Sequence, residues 1–262
     1  MLTTLASYTS IAADLPRSLS ATAAKPQVSR ETAYYLAHIA DVKSIDDFIG
    51  DDRLFAYAMK AFGLGDMAYA KGLMRKVLTE GVDKSGSFAN SLSDRRYRDF
   101  AAAFNFARYG TATTIFDRTR QGTVDGYVRQ TLEEDAGQLN DGVRLALYFQ
   151  RKASGIASAY SILADPALLK VVQTALGIPA EASAMGIDQQ AQMISKQLDV
   201  KDLQDPDKLA SFLDRFASLW EQDNPSSAST AGSPAVLFSQ PLELGIGQDL
   251  LASLQNLKLG GP

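Results

Sequence analysis

Three arginines, Arg95, Arg96 and Arg98, stand beside Tyr97 and Phe100 in the run SDRRYRDF. Basic side chains interleaved with aromatics can grip a single-stranded nucleic acid, the rings stacking on bases and the cations tracking phosphates. The same pattern suits an acidic protein surface. Two features argue against nucleic acid. Asp94 and Asp99 dilute the charge, and Tyr97, Phe100 and Phe104 recur at spacings of three and four, the repeat of a buried helix face. A solvated helix face is therefore expected for the arginines, with an acidic protein partner as the next reading. Arg95, Arg96 and Arg98 are retained as candidate partner-binding residues.

Other groups have the right types for chemistry but the wrong settings. Gly63-Leu64-Gly65-Asp66-Met67-Ala68 fits the dinucleotide fingerprint in its Gly/Ala form. That fingerprint works where a strand turns into a helix, whereas here a helical pattern precedes it, so a helix–glycine–helix corner is expected. Asp83 to Asp94 has the length of a calcium loop, but its sixth position, which needs glycine for the sharp turn, is Phe88. Glu133, Glu134 and Asp135 could supply paired carboxylates, yet three consecutive acids on a helix cannot face one pocket, and a solvated face is expected. His38 beside Tyr34 and Tyr35 could act as a base, but no nucleophile motif such as Gly-x-Ser-x-Gly accompanies it. With no cysteine and a single histidine, thiolate sites and paired imidazoles within one chain are excluded. No cofactor and no metal are expected, and the chain does not read as an enzyme.

Composition narrows the class further. The chain has 262 residues, 46% of them hydrophobic and 21% charged, as in a globular protein, and a net charge of −4. That balance is unlike the basic excess of a general nucleic-acid binder. Residues 1–27 are rich in Ser, Thr and Ala, with no basic cluster ahead of an apolar run, so no cleavable signal is read there. They look like a loose arm. No stretch approaches the roughly 18 apolar residues that would span a bilayer.

The elements that must position these residues are helices. Asp51, Asp94, Asp165 and Asp205 have the side chain and the place of N-caps, and Pro166 and Pro206 follow two of them at the position where a missing N–H costs nothing. Leu54, Phe55, Ala58, Ala61 and Phe62 share one face, closed by Gly63. Asp66 is expected to open the next helix, with Leu73, Val77 and Leu78 on its apolar side until Gly81. Thr111–Phe116 could form a short extended segment. Thr123–Val128 could pass for a hairpin, but Val124, Tyr127, Val128, Thr131 and Leu132 fall at helical spacing and a helix is favoured. Residues 222–234 have linker composition. Leu250, Leu251, Leu254 and Leu257 then form an amphipathic stripe, of which Leu250, Leu251 and Leu254 are candidate partner-binding residues.

Phe48–Leu64 aligns with Ile162–Ile178 at an offset of 114 without a gap. Asp51 meets Asp165, Leu54 meets Leu168, Gly63 meets Gly177, and Tyr34-Tyr35 meets Tyr148-Phe149. The expectation is an internal repeat, with copies at about 30–110 and 144–220. The runs DDRLFAYAMKAFGLGDMAYAKGLMRKVLTEG (51–81) and FANSLSDRRYRDFAAAFNF (88–106) resemble the family termed domain of unknown function 1217, over roughly residues 29–220. The resemblance implies an alphaproteobacterial protein associated with flagellar genes; it brings no site residues. The second copy departs from the motif, with Pro166 and Ala167 for Asp52 and Arg53 and no counterpart of the arginine cluster.

The sequence thus predicts an all-α, multi-helix bundle of about eight to ten helices with an internal pseudo-twofold repeat. Residues 1–27 form an arm, 28–221 the helical domain, and 222–262 a linker and tail. The expected role is that of a non-enzymatic, flagellum-associated accessory, structural or export-linked protein acting through protein contacts. The alternative is a cytoplasmic helical adaptor or regulator. Its place is the cytoplasm, or the flagellum by export without a cleavable signal.

Overall fold

Side-chain caps set where most of the helices begin. In a computed structural model that describes residues 2–224, Asp51, Asp94, Asp165 and Asp205 each accept N–H bonds of a first helical turn, as their positions predict. The order is α1 (Thr4–Ala12), α2 (Leu15–Ala23), α3 (Pro26–His38), α4 (Ile45–Gly50), α5 (Asp52–Ala61), α6 (Lys71–Glu80), α7 (Phe88–Ser91), α8 (Arg95–Ala103), α9 (Phe106–Tyr109) and α10 (Gln121–Leu139). There follow α11 (Asp141–Lys152), α12 (Ala159–Leu163), α13 (Pro166–Leu176), α14 (Ile187–Gln197) and α15 (Pro206–Asp223), with short 3-10 turns between several of them. The described chain is all-α. It has more helices than the eight to ten expected, because single turns such as α7 and α9 stand as separate elements.

Two apolar cores are built on either side of α10. The first runs from Val28 on α3 to Val124, Tyr127 and Val128 on α10. At its centre Phe48, Phe55, Phe100 and Phe104 are fully buried, and the Phe48 and Phe104 rings stack at 4.6 Å. Removing each such ring from water contributes about 1.5–3 kcal/mol. The second core runs from Ala136 to Trp220 and takes Tyr8 of α1. α10 therefore serves both cores, the first through Val124, Tyr127 and Val128 and the second through Ala136.

Three expectations give way. Residues 1–27 are not a loose arm: α1 and α2 occupy most of that span. Tyr8 is buried in the second core, and Leu19 and Ala23 pack on the first. Apolar residues are sparse there, so polar anchoring takes over. The Thr4 hydroxyl donates to Glu221 Oε2 at 2.5 Å and accepts from Asn140 Nδ2 at 2.8 Å. Asp66 does not open α6; it lies in a 3-10 turn over Gly65–Met67, and α6 begins at Lys71 with no side-chain cap. The stretch read as extended is a 3-10 turn over Gly110–Ile115. Threonine hydroxyls hold it, Thr113 donating to Gly110 O at 2.8 Å and Thr114 to Val42 O at 3.0 Å. Residues 123–128 are helical, inside α10.

Local contacts recur at the offset read from the sequence. Ser44 caps α4 and Ser158 caps α12. The Tyr34 hydroxyl donates to Asp51 Oδ2 at 2.7 Å, and the Tyr148 hydroxyl donates to Asp165 Oδ2 at 2.6 Å. Gly63 and Gly177 both have left-handed backbones, φ 72° and 66°. After each, an N–H reaches back to a helical carbonyl: Leu64 to Met59 and Ile178 to Gln173, both at 2.8 Å.

Candidate functional site

The three consecutive acids of α10, Glu133, Glu134 and Asp135, part company. At about 100° per residue, three neighbours on a helix point in three directions. Glu134 pairs with Lys60 of α5 at 2.8 Å, and Asp135 with Lys25, just before α3, at 2.5 Å. Glu133 turns inward and is 1% exposed, against the solvated face expected of it. Its Oε1 accepts from Arg129 Nε at 2.9 Å and Arg151 Nε at 2.7 Å, and its Oε2 from an Arg151 terminal nitrogen at 2.7 Å. Arg129 also donates to the Leu147 carbonyl at 2.9 Å, tying α10 to α11. Burial works against the Arg151 charge, but Glu133 outweighs it and raises the guanidinium pKa. A buried carboxylate with both oxygens taken by cations is a structural brace and has no lone pair directed at a substrate. Sequence reasoning missed it; the available signal was Arg129 four residues before Glu133, the spacing of a helical ion pair.

Two tyrosine–aspartate pairs brace the helix corners. Asp51 caps Leu54 N–H at 2.9 Å through Oδ1 while Oδ2 receives Tyr34. Burial alone would raise the Asp51 pKa; the bonds from Leu54 N–H and Tyr34 more than offset it and hold the carboxyl below its usual range. The Arg53 guanidinium lies 4.0 Å from the Tyr34 ring centre, and His38 stacks on the same ring at 4.0 Å between centroids. His38 is exposed and its Nδ1 bonds the Tyr34 carbonyl at 2.8 Å, the contact of a packed surface histidine. In the second pair Arg151 lies 5.0 Å from the Tyr148 ring, so the brace at Glu133 and the corner at Asp165 share one arginine.

The three candidate arginines are divided. Arg96 is half-buried; it pairs with Asp94 at 2.8 Å and donates to the Gly63 carbonyl, which locks the α5 corner to the start of α8. It is a structural residue. Arg95 and Arg98 are exposed, three apart on one face, and form no ion pair among the described residues. Asp99, which follows Arg98, pairs with Lys152 at 3.8 Å. Tyr97, buried between the arginines, has its pKa raised by burial, then by Asp94, with Tyr69 among the nearby charges. Tyr69 itself is 80% exposed. Leu250, Leu251 and Leu254 lie outside the described residues.

The remaining motifs resolve into packing. Gly63 and Gly65 sit at a corner after α5, with no strand before them. In the twelve-residue stretch, Asp83 accepts from Asn105 at 3.1 Å and Phe88 opens α7, its N–H bonded to Glu80 at 2.6 Å. Among the described residues no cluster of three acidic, histidine or cysteine ligands is placed to hold a metal, and no helix is long and apolar enough to cross a membrane. One open depression of about 370 Å³ lies at the start of α15, with Leu198, Leu203 and Phe212 as its apolar lining and Asp202, Asp207 and Lys208 at its edge.

Comparison with known proteins gives a family and a fold. A crystal structure of an Agrobacterium tumefaciens protein, determined as a structural genomics target, is similar over 85% of this chain and 94% of its own, with 49% identity and a TM-score of 0.78. No curated protein matches the chain. The sequence model of the family described as "Protein of unknown function (DUF1217)" matches residues 61–209, a narrower span than the resemblance read from the sequence and one that begins after most of α5. With more than half of its length matched, the chain belongs to the DUF1217 family of proteins of unknown function.

Proposed function

We propose that this protein is a non-enzymatic, flagellum-associated accessory, structural or export-linked component that works through protein–protein contacts. The observation that carries the contact reading is the exposure of Tyr69 and, separately, of Arg95 and Arg98, the two arginines forming no ion pair among the described residues. Tyrosine and arginine are enriched at the centres of protein interfaces, and here they are displayed while the charged residues of the interior are used as braces. Support for the flagellar setting comes from the family resemblance. A chromosomally tagged chain, followed through cell fractionation, tests it. Enrichment in flagellar or supernatant fractions is expected, together with altered motility on deletion. Purely cytoplasmic recovery with unchanged motility would overturn the flagellar part.

We also infer that residues 30–110 and 144–220 are diverged copies of one unit. The recurrence at offset 114 of a serine cap, a tyrosine–aspartate bond, a left-handed glycine and the bond behind it supports this reading. Superposition of α5 on α13 that also brings α3 onto α11 is the expected result; unrelated places for the flanking helices would overturn it.

A further inference from the structure

At the end of α8 an exposed arginine is held by one hydrogen bond and two aromatic rings. Arg118 belongs to the short 3-10 turn Asp117–Thr119. Its Nε donates to the carbonyl of Ala103, the last residue of α8, at 3.0 Å, and so satisfies one of the carbonyls that a helix end leaves unpaired. Its guanidinium carbon lies 4.7 Å from the centre of the Tyr109 ring and 4.2 Å from that of Phe116. The two rings meet edge to face at 4.9 Å and make the corner in which the guanidinium rests. Both are half-buried. The terminal nitrogens of Arg118 form no hydrogen bond or ion pair among the described residues. Arg108 lies 5.4 Å from the Tyr109 ring, on the same group of side chains. Ile115, the residue before Phe116, is 61% exposed.

We propose that this corner receives a carboxylate of a partner protein, carried on a short peptide segment in which acidic residues alternate with apolar ones. A guanidinium offers its donors as a rigid planar fork that matches a carboxylate. With Nε spent on Ala103, the edge formed by the two terminal nitrogens is the one left for two parallel bonds. The rings fix the direction of that edge before a partner arrives, which lowers the ordering cost of binding. Ile115 supplies an apolar contact beside it. The second cation, Arg108, faces Asp83 at 3.7 Å with both side chains at least half exposed. An exposed pair of that kind contributes little, so Arg108 exchanges readily to a second acid on the partner. Local charge sets the class of partner. Arg108, Arg118 and Arg120 stand against Asp83 and Asp117, an excess that suits a few carboxylates, whereas a nucleic acid draws its affinity from many cations along its phosphates. The proposal rests on the protein-contact reading above and gives it a partner chemistry; it does not depend on the flagellar setting.

Magnetic resonance of the isotope-labelled full chain tests this in vitro, separately from the fractionation and motility experiments. The probe is a short peptide alternating glutamate with leucine, and its control has glutamine in place of glutamate. The glutamate peptide is expected to shift the signals of Tyr109, Ile115 and the Arg118 side chain saturably, with a dissociation constant below about 1 mM. The glutamine peptide should bind at least roughly tenfold more weakly, the loss expected for a charge-assisted hydrogen bond. Arg118→Lys, which keeps the charge but not the fork, should show a similar loss. Ile115→Glu alters an exposed side chain, leaves the fold intact and sets a competing carboxylate beside Arg118, so it should abolish binding even if Arg118→Lys disturbs the end of α8. No saturable shift up to about 1 mM overturns the proposal. So do shifts confined to other residues, or an Ile115→Glu chain that binds like the native one. A single-stranded oligonucleotide of equal charge that shifts the same signals more tightly than the peptide assigns the corner to nucleic acid and overturns it as well.

Discussion

Replacing Glu133 by glutamine would remove the one negative charge on which two guanidinium groups rest. The shape of the side chain is kept, so the change isolates charge. Removing one partner of a buried ion pair costs about 3–5 kcal/mol, because the partner is left uncompensated. Arg129 retains the Leu147 carbonyl, and Arg151 is about one-third exposed and regains water, so the lower end, about 3 kcal/mol, is expected. At roughly 2–4 °C per kcal/mol for a domain of this size, the melting temperature should fall by roughly 6–12 °C. Urea unfolding followed by circular dichroism would read the loss directly. A second variant sharpens the test: Glu133→Leu combined with Arg129→Met and Arg151→Met removes every charge of the brace and should lose less than the single change, since apolar replacement of a buried pair is often neutral or better. A loss under about 1 kcal/mol for Glu133→Gln, or a larger loss for the triple variant, would refute the account of Glu133 as the neutralising centre of the brace.

The other expectations concern the joints around it. Gly142→Ala would drive a Cβ into Trp220 Cδ1 and place it 2.8 Å from Thr4 Cγ2, so overpacking should cost about 1–3 kcal/mol, measured by urea midpoint. Deleting residues 2–24 strips Tyr8 and the Thr4–Glu221 bond from the second core, and a melting temperature lower by roughly 5–10 °C should show in calorimetry. Asp51→Ala and Asp165→Ala each remove a cap and a tyrosine's acceptor, and each should cost about 1–2 kcal/mol, with hydrogen exchange speeding first in α5 for one and α13 for the other. Because the folded-state pKa of Asp51 is depressed, its contribution is complete above the unfolded carboxyl value of about 3.9 and is lost as pH falls from there through the folded value. Asp51→Asn should therefore flatten the decline in melting temperature below about pH 4, and an unchanged acid slope would contradict the assignment.

Capping chemistry was the most legible part of this fold. An aspartate or serine ahead of an apolar repeat, and a glycine at its end, act through one or two bonds that are local in sequence, which is why Asp51, Asp94, Asp165, Asp205, Gly63 and Gly177 could be placed from residue type and spacing. What depended on distant partners was not visible. Nothing near Thr4 announces Glu221 or Asn140, so a polar segment that is anchored at long range reads as an arm. Glu133 looks like its neighbours until Arg151, eighteen residues on, is folded against it. The threonines of 111–116 suited an extended reading through their branching, but the hydroxyls of Thr113 and Thr114 bond to carbonyls and stabilise a tight turn instead. The arginine cluster was legible as a group and only the packing divided it, since one of the three lies against the Gly63 carbonyl and the others face water.

The bond from Thr4 to Glu221 has a bearing on how this chain could be rebuilt. It brings the two extremes of the described chain side by side, the Thr4 N–H meeting Glu221 at 2.8 Å. Position in sequence and position in the fold are thereby uncoupled: a short bridge from residue 224 to residue 2 would close the backbone without displacing a helix. The exposed turn at 83–86, between α6 and α7, then offers a place to open it again. A chain rearranged in this way should keep both cores, and the same adjacency would let residues 2–224 be inserted as a module into a surface loop of another protein.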